Sequence, residues 1–170
     1  MSSKNTVDSY GWVAKTFHWG MFVIIVAQFY FGNNMKEMGK YHIATGFAIL
    51  LLMLIRFAWR ASNPVPKMPD GTGSLQTMAA HGLHILFYAL LIGMPVAGIA
   101  IVQGKGFPVS IMGWFNLPTI FEKSESGAEL ASTMHGVVAK VILLSVLIHI
   151  IVALYHHFGK KDNVLKRMLP

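Results

Sequence analysis

Long blocks of apolar residues, separated by short polar segments, dominate the pattern along the chain. A helix needs about 20 predominantly apolar residues to cross the hydrocarbon core of a membrane. Four blocks approach or exceed this length, and they predict membrane-spanning helices at residues 13–31, 41–59, 78–102 and 131–155. Aromatic side chains stand near several of their ends, as interfacial anchors do in membrane proteins. The pattern predicts an all-α, integral membrane four-helix bundle.

The polar segments between the blocks predict three connections within a single domain, residues 1–170. Residues 32–40 predict a short turn, so the first two helices should be antiparallel neighbours. Residues 60–77 hold three prolines and two glycines and predict a loop. Residues 103–130 form a longer connection with room for a short interfacial helix. The first apolar block lacks a small-residue cleavage site after it, so we expect a retained helix rather than a signal peptide.

Composition agrees with a membrane protein and excludes several functions. The chain is 54% hydrophobic and 12% charged, against roughly 25% charged in a typical soluble domain. The formal charge of +7 would suggest nucleic acid in a soluble protein, but no basic stripe with interleaved aromatics is present. The chain has no cysteine, which excludes disulfides, iron–sulfur ligation, c-type haem attachment and thiol catalysis.

The distribution of lysine and arginine predicts the orientation. One side of the bundle carries nine cations: Lys4, Lys15, Arg56, Arg60, Lys67, Lys160, Lys161, Lys166 and Arg167. The other side carries four: Lys36, Lys40, Lys105 and Lys123. Cytoplasmic loops of membrane proteins carry the excess of lysine and arginine. We therefore expect both termini in the cytoplasm.

Eight histidines in a chain with four predicted spans are the main candidates for chemistry. Ionisable side chains inside a bilayer are costly and usually functional. Each predicted helix contributes at least one, and the full set is His18, His42, His81, His84, His135, His149, His156 and His157. Imidazole is a common axial ligand of haem iron, and helix bundles build such sites from facing helices.

The spacing of the histidines favours two cofactor levels. His135 and His149 are fourteen residues apart, so both point to one face of the fourth helix at an axial separation of roughly 21 Å. Two stacked cofactors need such a separation, whereas a single metal ion or a zinc chelate does not. Depth in the membrane pairs His42 with His135 and His18 with His149. Depth alone does not distinguish His18 from His84.

Other interpretations apply to single residues. A lone histidine in a membrane is commonly a hydrogen-bonded packing residue, and a proton pathway is another use of such side chains. Lys140 lies inside the fourth predicted helix, where its stem could extend to the interface or its ammonium could pair with a haem propionate. Glycines near the histidines would let a macrocycle or a neighbouring helix approach. They are Gly46, Gly82, Gly93, Gly98 and Gly136.

Motifs around these histidines resemble the bacterial cytochrome b561 family, which is related to the membrane cytochrome b subunits of hydrogenases and formate dehydrogenases. The motifs are FHW at 17–19, YHIATG at 41–46, AHGLHILFY at 80–88, MP at 94–95, the MH and IH pairs of the fourth helix, and YHHFGKKDNVLKRMLP at 155–170. The last motif is the most specific. The resemblance covers nearly the whole chain and implies a multi-pass protein of the bacterial inner membrane.

The resemblance also implies the cofactors and the reaction. It implies two b haems, with His18 and His149 on one iron and His42 and His135 on the other. It implies ubiquinone as the electron acceptor, and superoxide as the donor by similarity to the superoxide oxidases of the family.

Three further residues become candidates for the quinone or substrate region through the same resemblance. They are His84, His156 and Lys140, of which Lys140 departs from the family pattern. Two other functions stay open from the sequence. One is a cytochrome b relay subunit that carries electrons from a partner dehydrogenase to quinone. The other is a transporter or metal exporter without redox activity.

Overall fold

Four long helices form the body of the protein. The computed structural model describes residues 2–69 and 71–169, so Met1, Asp70 and Pro170 of the predicted domain, loop and C-terminal motif lie outside the described residues. The helices are α1 (Trp12–Asn33), α2 (Met35–Ala61), α3 (Ser74–Gly104) and α4 (Glu125–Leu154). Each is long and apolar enough to cross a membrane. The predicted helical membrane fold is confirmed, and every helix begins before its predicted apolar span.

The predicted turn at residues 32–40 is wrong in length. Helix α1 ends at Asn33 and α2 begins at Met35, so Asn34 alone separates them. The Asn34 backbone N–H donates to the Phe31 carbonyl at 3.1 Å, and its side-chain amide donates to the Tyr30 carbonyl at 2.8 Å. These bonds satisfy carbonyls at the end of α1. His42 consequently lies about two turns inside α2 rather than at its start.

The connection between α3 and α4 contains a β-hairpin instead of the suggested short helix. Strand β1 (Ser110–Ile111) pairs antiparallel with β2 (Phe115–Asn116). Gln103 at the end of α3, which is 4% exposed, forms hydrogen bonds with this connection. Its Nε2 donates to the Pro118 carbonyl at 2.8 Å, and its Oε1 accepts from the backbone N–H groups of Ile120 and Phe121 at 2.9 and 3.0 Å. The buried amide is therefore hydrogen-bonded at both ends.

The helices pack in chain order and leave two gaps. Helix α1 packs on α2, α2 on α3, and α3 on α4. Among the described residues, no Cα atom of α4 comes within 8 Å of a Cα atom of α1 or of α2. A central apolar cluster of Met21, Ile49, Met53, Leu91 and Ile142 joins all four helices through side chains. Helix α4 therefore faces α1 and α2 across space that only side chains or a ligand can fill.

The C-terminal segment folds back onto the start of α1. A six-residue π-helix, Tyr155–Lys160, follows α4, and Lys161 with a φ of 57° comes directly after it. Trp19 Nε1 donates to the Met168 carbonyl at 2.8 Å, and Lys15 Nζ donates to the Leu169 carbonyl at 2.5 Å. We call this end of the bundle, which carries both terminal segments, the terminal end. We call the opposite end, which carries β1 and β2, the hairpin end.

Candidate functional site

His42 on α2 and His135 on α4 face each other at the hairpin end. Their ring centroids are 6.1 Å apart, although the backbones of the two helices do not pack directly. Both rings line a mostly apolar cavity of about 390 Å³, within the range of roughly 300–1,000 Å³ that is typical of ligand and cofactor pockets. The cavity therefore has a pair of imidazoles and room for a bound group.

Glycine makes room in this cavity at three positions. An added Cβ at Gly32 would lie 3.1 Å from His42 Cε1, and one at Gly46 would lie 3.2 Å from Gln28 Nε2. A Cβ at Gly98 would lie 3.6 Å from His135 Cε1. The predicted role of glycine as a small lining residue thus applies to Gly46 and Gly98. An added Cβ at Gly82, Gly93 or Gly136 would have no neighbouring atom within 4 Å.

Gln28 on α1 orients His42, and sequence reasoning missed it. His42 Nδ1 donates to the Gln28 carbonyl at 3.3 Å, while Gln28 Nε2 donates to the His42 carbonyl at 3.1 Å. The hydroxyl of Thr45 donates to Gln28 Oε1. A hydrogen bond from one imidazole nitrogen fixes which nitrogen is available to a metal. His42 Nε2, which lies 3.4 Å from Gln28 Nε2 as a weak acceptor, is the ring nitrogen that remains as the candidate ligand atom. A lone glutamine in an apolar helix carries no spacing signal that predicts this contact.

Three histidines meet at the terminal end. The ring centroids of His18 and His149 are 6.0 Å apart, and those of His84 and His149 are 6.1 Å apart. His84 Nδ1 donates to the Ala80 carbonyl of its own helix at 2.7 Å. The distance to His149 does not distinguish His18 from His84 as its partner, and neither did the depth in the membrane predicted from the sequence. The helices do differ, because α3 packs directly on α4 whereas α1 does not.

The side chains present fit a haem. A metal bonds an imidazole nitrogen at about 2 Å, so two rings on opposite sides of one metal ion have centroids roughly 6 Å apart. Both His42–His135 and His18–His149 have this separation. Within residues 2–69 and 71–169, His135 Nδ1 is buried without a hydrogen-bond partner, so this nitrogen is available to a bound group. Neutral imidazoles, glycine and apolar walls match the donor set and the surroundings of a b-type haem.

The remaining predicted site residues lie elsewhere. Lys140 is exposed on α4 and lines neither described cavity. His156 lies in the π-helix, and its Nδ1 donates to the Asp162 carboxylate at 2.5 Å. Burial alone would raise the pKa of Asp162, but hydrogen bonds from His156 and from the Val164 backbone N–H lower this pKa below its ordinary value. His84 lines a small cleft at the terminal end, close to His149.

Comparison with known proteins places these features in one family. The family described as prokaryotic cytochrome b561 matches residues 9–170. Cytochrome b561 homolog 2 of Escherichia coli K12 is 32% identical over 180 aligned positions, which cover 99% of this chain and 95% of that protein. A Yersinia pestis protein named "Probable superoxide oxidase CybB" is 32% identical over 133 positions, or 76% of this chain and 73% of that protein.

A third relative extends the same similarity. Cytochrome b562 of Cereibacter sphaeroides is 27% identical over 168 positions, which cover 91% of this chain and 90% of that protein. The family match spans all four membrane helices and all eight histidines. Proteins of this family bind haem b and transfer electrons in bacterial membranes. The chain belongs to the prokaryotic cytochrome b561 family.

Proposed function

We propose that the protein binds two b haems and passes electrons from superoxide to ubiquinone. His42 and His135 would bind one haem iron, and His18 and His149 the other. The observation that carries this proposal is the presence of two histidine pairs, one at each end of the bundle. Their ring centroids are 6.1 and 6.0 Å apart, the separation expected for two imidazoles on one metal ion. The likeness to a protein named as a probable superoxide oxidase supports the choice of donor.

The packing of α4 supports the assignment of the terminal-end haem to His18. A flat macrocycle with two axial imidazoles needs space between the two helices that supply them. Among the described residues no Cα atom of α1 lies within 8 Å of one of α4, whereas α3 and α4 are in direct contact. This difference favours a macrocycle between α1 and α4. His84 then belongs beside this haem, and with His156 we propose it for the quinone region at the terminal end.

The protein's own side chains would hold, orient and isolate the cofactors. When bound, haem supplies a one-electron carrier whose potential depends on axial ligands, hydrogen bonds and burial. Gln28 fixes the ring of His42. The residues of the central apolar cluster lie between the terminal-end and hairpin-end histidines along their helices. They would exclude water from the space between the two sites. This arrangement keeps each site in a low-dielectric environment.

The proposed reaction balances for two donor molecules per quinone. Each superoxide anion loses one electron and leaves as dioxygen. One ubiquinone gains the two electrons and takes up two protons to become ubiquinol. His156, hydrogen-bonded to Asp162 at 2.5 Å, is a titratable group at the terminal end that is placed to take part in proton uptake.

The proposal includes a location in the bacterial inner membrane with both termini in the cytoplasm. The excess of lysine and arginine at the terminal end supports this orientation. A reporter enzyme fused after residue 170 should be active in its cytoplasmic form, and one inserted in the hairpin connection should be active in its periplasmic form. Activity of the C-terminal fusion in the periplasm alone would mean that the orientation is inverted.

Reduction by superoxide should depend on ionic strength if local charge guides the anion. Lys36, Lys40, Lys105 and Lys123 are exposed at the hairpin end. Four glutamates oppose them, Glu37, Glu122, Glu125 and Glu129, so attraction must arise from local clustering rather than from net charge. Stopped-flow reduction by superoxide should slow as salt increases, and it should slow in Lys140→Met if Lys140 extends the positive field.

Two outcomes would change this account. A rate that is indifferent both to salt and to Lys140→Met would contradict electrostatic guidance while leaving superoxide as the donor. A purified protein with bound haem that superoxide does not reduce would instead favour the relay subunit, with a partner dehydrogenase as the electron source.

A further inference from the structure

Two arginines share a small cleft at the terminal end. Arg56 and Arg60 lie one turn apart on α2, and both are partly buried. They line a cleft of about 40 Å³ together with Trp59, His84 and residues of both terminal segments. Like charges four residues apart on a helix repel each other, and partial burial next to the membrane weakens the screening of that repulsion by water.

The arginines have no carboxylate partner within the described ranges. Among residues 2–69 and 71–169, the one ion pair within 4.0 Å joins His156 to Asp162. Trp59 Nε1 is also buried and has no hydrogen-bond partner there. The cleft therefore combines two guanidinium groups with an indole N–H that has no acceptor. Such a set of donors suits an anion that carries acceptor oxygens.

Two oxygens of residues in the wall of the cleft accept hydrogen bonds from other parts of the chain. Asn5 Oδ1 accepts from the Gly11 backbone N–H at 3.0 Å. The Met168 carbonyl accepts from Trp19 Nε1 at 2.8 Å. Neither oxygen accepts from Trp59 Nε1 or from an arginine of the cleft among the described residues, so these donors remain available to a ligand.

Size and position indicate which anion belongs here. On this measure a cavity of roughly 10–15 Å³ holds one water molecule, so a cleft of about 40 Å³ has room for a group of a few heavy atoms, such as one carboxylate. The cleft reaches the proposed haem site through His84, whose ring centroid is 6.1 Å from that of His149. The porphyrin of haem b carries carboxylate side chains. Guanidinium groups bind carboxylates through paired hydrogen bonds.

We propose that Arg56 and Arg60 bind a propionate carboxylate of the haem held by His149, with Trp59 Nε1 as a third donor. This inference rests on the proposed function, because it assumes a haem at the terminal end. The arginines would position the macrocycle and raise the reduction potential of that haem, since a nearby positive charge favours the added electron.

The test labels the carboxylates of the haem directly. Haem with ¹³C in its propionate carboxyl groups is incorporated during expression, and redox-difference infrared spectra are recorded for the full protein. Arg56→Gln and Arg60→Gln should shift the label-sensitive carboxylate bands and lower the potential of one haem. Lys67→Gln is the matched control, because Lys67 is an exposed cation at the same end and outside the cleft. It should leave the bands and both potentials unchanged.

The result distinguishes this inference from the proposed function. Wild-type protein without two haems would contradict the proposed function itself. Wild-type protein with two haems, but with carboxylate bands in the arginine variants identical to those of Lys67→Gln, would overturn the propionate site alone. An arginine effect confined to the KM for ubiquinone would overturn it as well and assign the cleft to quinone. If the glutamine variants lose haem, Arg56→Lys and Arg60→Lys keep the charge and should still shift the bands, because ammonium lacks the planar pair of donors.

Discussion

Replacement of His135 by alanine should leave the protein with one b haem instead of two. His135 faces His42 with ring centroids 6.1 Å apart across a cavity of about 390 Å³. Alanine would remove the proposed ligand, and His42 is the one other histidine that lines this cavity among the described residues. His42→Ala should have the same effect. The measurement is the ratio of haem to protein in purified samples, together with the reduction potential of the haem that remains.

His81→Ala is the matched control for these variants. His81 is an exposed histidine of α3 that lines neither described cavity, so both haems should be retained. Loss of both haems in His135→Ala with a folded protein would mean that the two sites do not bind independently. Full haem content in His135→Ala would contradict the assignment of the hairpin-end ligands.

Replacement of His18 by alanine should remove the haem at the terminal end, whereas His84→Ala should retain it. Both rings lie close to His149, at 6.0 and 6.1 Å between centroids. Of the helices that carry these two histidines, α3 packs directly on α4, whereas α1 has no Cα atom within 8 Å of α4 among the described residues. His149→Ala should match His18→Ala in haem content and in the identity of the haem that is lost.

The same comparison has a clear contrary outcome. Full haem content in His18→Ala, combined with loss of one haem in His84→Ala, would assign His84 as the ligand. The terminal-end haem would then lie against α3, and His18 would become the candidate for the quinone region. A third outcome is that His18→Ala keeps both haems but one of them changes from low-spin to high-spin. That result would support His18 as a ligand and show that the haem stays bound without it.

Apolar blocks predicted the helices well because lipid imposes the same two requirements on every spanning segment. A spanning segment must be apolar and must satisfy its own backbone hydrogen bonds, so length and hydropathy suffice. Helix ends were harder to predict, since they depend on local contacts. Helix α2 begins at Met35 because Asn34 satisfies the end of α1. Polar residues of the predicted turn can continue a helix beyond the hydrocarbon core without cost.

The connection between α3 and α4 is an element that the apolar and polar pattern of the sequence does not predict. Its hairpin depends on Gln103, which bonds three backbone groups that are fifteen to eighteen residues away in the chain. Turn residues with positive φ, Met112 and Gly113, complete it. A polar residue at the end of an apolar helix does not reveal such partners in sequence, so the suggested helix was wrong.

Periodicity could place the histidines but could not identify their surroundings. Fourteen-residue spacing puts His135 and His149 on one face of α4, and the structure finds each against a histidine of another helix. The contact of Gln28 with His42 joins residues fourteen apart on two helices, and it depends on the break at Asn34. The role of Lys140 also depends on the rotation of α4, which leaves this side chain exposed.

A visible spectrum of the purified protein, combined with its haem stoichiometry, tests the central claim most directly. Two histidine pairs at opposite ends of the bundle predict two b haems per chain, both low-spin and six-coordinate, with two separable reduction potentials. One haem per chain would mean that one of the two histidine pairs is not a ligand set. A high-spin spectrum would contradict ligation by two imidazoles. A folded protein purified without colour, after expression with sufficient haem, would contradict the electron-transfer account as a whole.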